Sequence, residues 1–360
     1  MLLSAGGAGA DSFSSGRERP FIPDQIVSST TPGNGDLNPY GVAIVPRGFP
    51  SGGAIAPGDV LVSNFNNSSN LQGTGTTIIQ LTPNGIVAPS GTATTLFQGS
   101  GLGLTTALGV LRRGFVLVGS VPTTDGKFDT IQLGALLFLD KNGNEVSPSP
   151  YTAGLDGPWD LTIDDEFDHA HVFVSNVLNG TITRLDLTVA AAFVTVTKAT
   201  VIATGYTVQP NSAALIVGPT GLAYDARDDV LFVASTMDNT IFAVTHAEGH
   251  TGSSGRGTVV FQNEHLRGPL ALAFAPNGDL LTANGDAVNA DPTQPSEIVE
   301  FTTSGKFVSQ SNVDAAEGGA FGFAVSGASS NGPHKRALFA FVDDNSNSIS
   351  VLRKDAASAP

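Results

Sequence analysis

One hairpin pattern recurs along this chain and restricts the fold more than any other feature. It reads VFVSNVLNGTITRL at 172–185, LFVASTMDNTIFAV at 231–244 and LFAFVDDNSNSISVL at 338–352. Each copy has an apolar run that ends in a small or acidic polar residue, an Asn- or Asp-containing turn and a second β-branched run. Such runs joined by Asn/Asp/Gly turns are typical of antiparallel hairpins. The pattern therefore predicts a repetitive all-β protein.

The hairpin is part of a longer unit that occurs six times. A strand led by Gly or Pro, or by a similar small residue, precedes each hairpin, and the six leading strands begin near residues 38, 106, 157, 218, 268 and 319. The last unit lacks a fourth strand, whereas PDQIVSS at 23–29 lies before the first unit as a spare strand. Pairing the two would leave no long unpaired edge. We therefore predict a six-bladed β-propeller with four-stranded antiparallel blades, closed by the N-terminal strand.

The two ends of the sequence differ from the repeats. We predict one propeller domain over 21–354, with 1–20 as a flexible leader or signal-peptide remnant and 355–360 as a flexible tail. The run MLLSAGGAGADSF resembles the end of a signal peptide, with Ala-Gly-Ala before Asp11, although the positively charged segment is missing. This favours a periplasmic or extracellular location. No stretch approaches the ~20 apolar residues of a membrane span.

Charge and cysteine content limit the partners and the chemistry. The formal net charge is −15, and binding to nucleic acid requires patches of Lys and Arg, so nucleic acid is not an expected partner. No Cys occurs, which excludes disulfides, thiolate metal sites and a cysteine nucleophile. The expected partner is therefore an unidentified small molecule or protein.

The repeats resemble those of known propellers. PYGVAIVP, GPTGLAYDARDDVLFVASTMDNTIFAV and GPLALAFAPNGDLLTAN are similar to NHL-type repeats and to the wider six-bladed family with gluconolactonase-like (SMP-30), paraoxonase-like and streptogramin-lyase-like enzymes. The resemblance covers about residues 38–353. It implies the fold, but this fold serves both enzymes and binding modules.

Two rings of residues are expected on one face, where the first strands begin and the second strands end. The inner ring lies within the first strands and comprises Tyr40, Leu108, Trp159, Thr220, Leu270 and Phe321. The outer ring ends the second strands and comprises Asn64, Ser120, Asn176, Ser235, Asn284 and Asp343, with Asp344 following. For the outer ring, a structural role is the alternative, because Asn and Ser commonly bond the backbone of turns.

A ligand-binding face is predicted from these rings. Its members are Tyr40, Trp159, Asp160 and Phe321, with a rim of Asn64, Asn176 and Asn284. For Trp159, plain packing of the propeller centre is the alternative. Asp160 stands where the other blades have Gly or Ala, and it can contact a ligand, bind a cation or accept bonds from nearby backbone N–H groups.

The resemblance implies a divalent cation, since lactonase-like members hold one with Asn, Asp and Glu near the inner ring. Here five of the six inner positions are aromatic or aliphatic, whereas a hard cation needs several converging oxygens. We therefore expect no cofactor. Calcium is the alternative, with Asp160 and Asp343 as its ligands.

The sequence is compatible with two functions. The first is an extracytoplasmic propeller that binds a ligand or protein through its channel mouth. The alternative is a metal-assisted hydrolase or lyase, lactonase-like in its chemistry. Catalytic residues cannot be assigned: His169 and His171 are expected to be surface residues rather than a zinc pair, and THAEGH at 245–250 is expected to be a loop. Three long segments, 64–77, 121–132 and 284–297, are expected to decorate the mouth face.

Overall fold

Six antiparallel sheets form the blades of a propeller. The computed structural model describes residues 24–82, 93–285, 288–326 and 336–355. Within these ranges the only helical element is one 3-10 turn, Phe128–Thr130. The predicted all-β, six-bladed architecture is confirmed. The predicted leader at 1–20 and residues 356–360 of the predicted tail lie outside the described residues, whereas Asp355, the first residue of that tail, ends the last strand.

The blades follow one another along the chain. After β1 (Asp24–Ser29), blade 1 contains β2 (Leu37–Ile44), β3 (Val60–Asn66), β4 (Thr77–Leu81) and β5 (Thr94–Gln98). Blade 2 contains β6 (Leu104–Leu111), β7 (Phe115–Ser120) and β8 (Ala135–Asp140), and blade 3 contains β9 (Pro158–Asp165), β10 (His169–Asn176), β11 (Thr181–Val189) and β12 (Val194–Thr204). A separate hairpin follows, β13 (Gln209–Asn211) and β14 (Leu215–Val217).

The second half repeats the arrangement. Blade 4 contains β15 (Pro219–Asp225), β16 (Val230–Ser235), β17 (Thr240–Thr245) and β18 (Thr258–Phe261). Blade 5 contains β19 (Pro269–Phe274), β20 (Leu280–Asn284), β21 (Glu297–Phe301) and β22 (Phe307–Asn312), and blade 6 contains β23 (Ala320–Ser326), β24 (Arg336–Asp343) and β25 (Ser348–Asp355). Strand β1 completes blade 6 by pairing antiparallel with β25, from Asp24 opposite Arg353 to Ser29 opposite Ser348. The predicted closure of the ring is thus confirmed.

Blade 2 departs from the predicted four strands. The segment after β8 contacts it through two isolated bridges only, Leu139 with Glu145 and Leu136 with Tyr151. Pro148 and Pro150 lie in this segment and have no backbone N–H, so they cannot sustain a regular ladder. The edge of blade 2 is therefore irregular.

Apolar residues fill the spaces between neighbouring blades. All seven residues of β3 are buried, because both faces of a middle strand pack against adjacent sheets. The repeated Gly of the first strands has a separate cause. A Cβ at Gly221 or Gly322 would meet the backbone of the next blade, the carbonyl oxygens of Leu270 and Tyr40 respectively. Only Gly allows the innermost strands to approach this closely around the channel.

Within the described ranges, no helix is long and apolar enough to cross a membrane.

Candidate functional site at the channel mouth

Aromatic residues from three blades meet at the centre of the propeller. Tyr40 stacks on Phe321 with ring centroids 3.9 Å apart and on Phe65 at 4.4 Å. Trp159 lies edge-on to Tyr40 at 6.0 Å and to Phe65 at 5.6 Å. The structure therefore brings together Tyr40, Trp159 and Phe321, as the ring pattern predicted, and adds Phe65 from β3.

These rings form a buried plug. Trp159 is 1% exposed, and Leu215 and Ile216 of the β13–β14 hairpin belong to the same apolar cluster. The hairpin was not predicted, because Gln209–Asn211 and Leu215–Val217 are too short to give a periodic signal. Its packing covers part of the channel that six blades alone would leave open.

Leu108 does not belong to the inner ring, and its sequence assignment is corrected here. Leu108 pairs with Val118 in blade 2, and Val42 pairs with Val62 in blade 1, so Leu108 is equivalent to Val42. The residue equivalent to Tyr40 therefore comes earlier in β6. The strand pairing is irregular between Leu104 and Leu108. Gly109, which was aligned with the Gly of the other first strands, is therefore not equivalent to it. Thr105 and Thr106 take that region instead, and their hydroxyls donate to the carbonyl oxygens of Pro158 and Trp159 at 2.9 and 2.5 Å.

Asp160 faces the inner channel and connects two blades. Its Oδ1 accepts the N–H of Leu161 at 2.8 Å, and its Oδ2 accepts the N–H of Leu222 on blade 4 at 3.2 Å. Burial raises the pKa of Asp160 well above its ordinary value, against the lowering effect of these two bonds. Asp160 lines the channel cavity of about 270 Å³ that the innermost strands enclose. The predicted backbone-bonding role is therefore visible in the structure, and the carboxyl still reaches a cavity.

The outer-ring asparagines are buried and bonded to backbone and hydroxyl groups nearby. Asn176 accepts the N–H of Asp156 at 3.0 Å and donates to Thr181 and Thr183 at 3.1 and 2.9 Å. Asn284 accepts the N–H of Arg267 at 2.9 Å and donates to the carbonyl oxygen of His265 at 2.8 Å.

Asn64 follows the same pattern in blade 1. Its Nδ2 donates to the carbonyl oxygen of Thr30 at 3.1 Å and to Thr77 at 3.2 Å. Each of the three asparagines thus ties the end of a second strand to the segment that leads into its own blade. This is the structural role that the sequence left open as the alternative for the outer ring.

A polar cavity of about 340 Å³ lies above the aromatic plug at the channel mouth. Tyr40 and Phe321 contribute to its floor, while its wall carries Asn38, Asn66, Asn70, Gln72, Asp344, Asn345 and Asn347. Gln72 belongs to the long segment 64–77, and its Nε2 donates to Ala213 of the β13–β14 turn at 2.8 Å. Two of the three long segments expected on this face, 64–77 and 284–297, therefore line the cavity, whereas 121–132 does not.

Asp344 is the carboxyl group of this mouth cavity. Burial, together with the neighbouring charge of Asp343, raises the pKa of Asp344 to about 7. With its side-chain amide in the orientation that satisfies its neighbours, Asn38 donates from nitrogen to both Asp344 oxygens and accepts from Nδ2 of Asn66 at 3.0 Å. A second bond runs from Nδ2 of Asn66 to Oδ1 of Asn70 at 2.7 Å. Asp344 is thereby fixed in a chain of amide side chains.

Comparison with known proteins adds the fold relatives. Compared by sequence, the chain matches no family model and no curated protein. By structure it is similar to a gluconolactonase from Xanthomonas campestris, with 10% identity, 92% of this chain and 89% of that chain covered, and a TM-score of 0.53. A calcium-binding regucalcin from Agrobacterium tumefaciens gives 14% identity, 93% and 96% coverage and a TM-score of 0.52. The chain has the six-bladed fold of SMP-30-like propellers. Identities this low show the fold alone.

The inner ring of this propeller does not fit a hard cation. Apart from Tyr40, the oxygen-bearing side chains of the ring are threonines. The hydroxyl of Thr220 donates to the carbonyl oxygen of Pro269 at 3.0 Å, and that of Thr105 donates to the carbonyl oxygen of Pro158. Calcium requires six to eight oxygens. The other pair considered for calcium is also divided, since Asp160 lines the inner channel and Asp343 accepts bonds from Asn345 and Ser346 in the turn after β24.

Asp344 was the residue that sequence reasoning undervalued. It follows Asp343 in an Asn-rich turn, a setting that indicates an exposed turn residue. Its partner Asn38 is distant in sequence and reaches Asp344 because β2 of blade 1 packs against β23 and β24 of blade 6. The adjacent pair Asp343–Asp344 in the last unit was the only signal in the sequence.

Proposed function

We propose that this propeller is a hydrolase of a small, uncharged cyclic ester of the lactone class, with the mouth cavity as its active site. The observation that carries the proposal is Asp344, a largely buried carboxyl with a pKa raised to about 7, in a cavity of about 340 Å³. A general base works best when its pKa lies near the working pH, and a cavity of this size suits a small ligand. The structural likeness to a gluconolactonase agrees with this class of substrate.

The chemistry follows from the position of Asp344. Its carboxylate accepts a proton from a water molecule, and the water oxygen attacks the ester carbonyl carbon. The ring C–O bond then breaks, and the leaving oxygen takes the proton from Asp344, which restores its carboxylate. Amide side chains of the wall, such as those of Asn70 and Gln72, provide N–H groups of the kind that stabilise a developing oxyanion. The acidic pair Asp343–Asp344 disfavours an anionic substrate and favours an uncharged one.

The proposal is tested by replacing Asp344 with its amide. Asp344→Asn keeps the shape but removes the base, so kcat/KM on a panel of lactones should fall by about 10²- to 10⁴-fold. Asp140→Asn is the matched control, because Asp140 accepts bonds from Asn142 and Asn144 in a turn of blade 2 away from the mouth. Unchanged turnover in Asp344→Asn would refute the role of Asp344.

The pH profile provides a second test. The base must be deprotonated, so kcat/KM should rise as the pH passes through about 7. Asp343→Asn removes a like charge that raises the pKa of Asp344, so the rise should move to lower pH. A profile that does not move would mean that another group controls the reaction.

Binding without turnover is the second candidate. The stacked pair Tyr40–Phe321 at the floor of the mouth cavity, with centroids 3.9 Å apart, favours a flat or ring-containing ligand. Under this candidate, ligands from the same panel would bind with a measurable Kd while no product forms. Under either candidate function we propose a location outside the cytoplasm, because the N-terminal sequence resembles the end of a signal peptide.

A further inference from the structure

A second polar cluster lies between blades 3 and 4, far from the mouth cavity. It contains Asp164 near the end of β9, His171 on β10 and Glu248 in the loop after β17. One potential ligand atom from each lies within 4.8 Å of the other two. Asp164 is six residues along β9 from Pro158 at the mouth end, which at 3.3 Å per residue separates the two by about 20 Å.

Strand pairing and a loop contact bring the cluster together. Asp164 and His171 are paired across β9 and β10, so their side chains share one face of the sheet. Glu248 comes from the neighbouring blade, and its Oε1 lies 3.2 Å from Nδ1 of His171. That nitrogen is shielded from solvent and makes no well-aligned hydrogen bond in the described part of the chain. Nδ1 of His171 therefore lies among carboxyl groups and is the imidazole atom available to a metal once it is deprotonated.

Further side chains orient these three residues. Asp186, which is paired with His171 on the other side, lies 3.8 Å from Nε2 of the imidazole. A carboxylate in this position orients an imidazole with Nδ1 toward the cluster, an arrangement common around metal-binding histidines. Arg184 in turn donates to Asp186 at 2.7 Å and to the carbonyl oxygens of Ala247 and Glu248. The loop that carries Glu248 is thus fixed relative to blade 3.

Asp229 of blade 4 also supports the loop that carries Glu248. Asp229 accepts the hydroxyl of Tyr224 at 3.0 Å and the backbone N–H of Glu248 at 3.0 Å. His171 and the loop that carries Glu248 are therefore held in place by contacts outside the cluster.

We propose that Asp164, His171 and Glu248 bind a divalent cation of the zinc class that joins blades 3 and 4. One imidazole nitrogen and two carboxylate oxygens suit Zn²⁺, whereas Ca²⁺ prefers oxygen ligands alone. Zinc ligands lie about 2.0–2.2 Å from the metal in tetrahedral geometry, so two ligand atoms are about 3.3–3.6 Å apart. The ligand atoms of the cluster lie within 4.8 Å of one another, so they must approach by up to about 1.5 Å, and the partly exposed side chains of His171 and Glu248 allow this movement.

Metal binding to the full chain tests the proposal directly. Protein freed of metal with a chelator and then titrated with Zn²⁺ should take up one ion per chain, and its Tm should rise. His171→Gln should abolish this uptake. Asp186→Asn, which removes only the orienting carboxylate, should weaken binding by about 10- to 100-fold. His169→Gln is the matched control, because His169 lies on the same strand but outside the cluster.

Two readouts separate the site from alternatives. The metal-free Tm of each variant shows whether the fold is intact, so that lost binding is not confused with unfolding. Asp344→Asn should bind Zn²⁺ as the wild type does, so failure of the proposed hydrolase leaves this test unaffected. The metal site would be refuted if the wild type takes up no stoichiometric Zn²⁺, or if His171→Gln and His169→Gln bind it equally.

Discussion

Trp159 is buried by an element that belongs to no blade. The β13–β14 hairpin contributes Leu215 and Ile216 to its cluster, and Nε1 of Trp159 has no hydrogen-bond partner among the described residues. Trp159→Ala should lower the free energy of unfolding by about 3–5 kcal/mol, because it leaves a large cavity. Trp159→Phe should cost clearly less, since it retains most of the ring volume and removes an unpaired N–H group.

Fluorescence and denaturation measure this prediction. Trp159 is the only tryptophan, so a blue-shifted emission that acrylamide does not quench is expected of its 1% exposed side chain. Equal losses for the Phe and Ala variants would contradict the assignment of the unpaired N–H. A readily quenched emission would instead mean that the plug opens, and an emission that then shifts on adding a ligand would support the predicted binding role.

Single residues show where sequence reasoning reaches its limit. The meeting of Tyr40, Trp159 and Phe321 could be predicted, because equivalent positions of a repeat occupy equivalent places around the channel. The site at Asp344 could not, since its environment comes from Asn38 across the closure of the ring. Glu248 is a similar case, because the residue that it meets, His171, belongs to another blade.

In three blades an asparagine at the end of the second strand connects that strand to the segment that leads into the blade. In blade 3 Asn176 makes this connection by accepting the N–H of Asp156, and it also donates to Thr181 and Thr183 of β11. Asn176→Ala should lower the free energy of unfolding by about 1–3 kcal/mol, because it leaves buried partners unsatisfied. The matched control is Asn179→Ala in the exposed turn of the same hairpin, where a change within about 0.5 kcal/mol is expected.

Denaturant unfolding of both variants decides the matter. If the two substitutions cost the same, the repeated asparagine has no special part in blade structure. If Asn176→Ala were neutral for stability but impaired ligand binding, the predicted functional role of this ring would be favoured over the structural one.

Element boundaries followed the sequence wherever the period was regular. The hairpins at 172–185, 231–244 and 338–352 were predictable because buried runs alternate with turn residues at a constant spacing. The edge of blade 2 and the β13–β14 hairpin were not predictable. Prolines interrupt the first, and the second is a short insertion that is stabilised by packing on the aromatic plug rather than by its own pattern.

The whole ring depends on a strand from the opposite end of the chain. Residues Asp24–Ser29 pair with β25 over six positions, and the N–H and hydroxyl of Thr30 donate to the carbonyl oxygen of Asn347 at 2.9 and 2.8 Å. Because Oδ1 of Asn347 accepts the N–H of Asn38 at 2.7 Å, the closure also positions one wall of the mouth cavity. Closure and the candidate active site are therefore linked.

Two truncations test this link. A chain that begins at residue 31 loses the whole β1 ladder, so its free energy of unfolding should fall by about 3 kcal/mol or more at 0.5–1.5 kcal/mol per lost bond. The exposed edge of β25 should also pair with other copies, which size-exclusion chromatography would detect as oligomers. A chain that begins at residue 21 keeps β1 and is the control. Adding a peptide of residues 21–31 to the shorter chain should restore both the monomer and any lactone turnover, because strand and wall are rebuilt together. Restored stability without restored turnover would show that the cavity wall is independent of the closure.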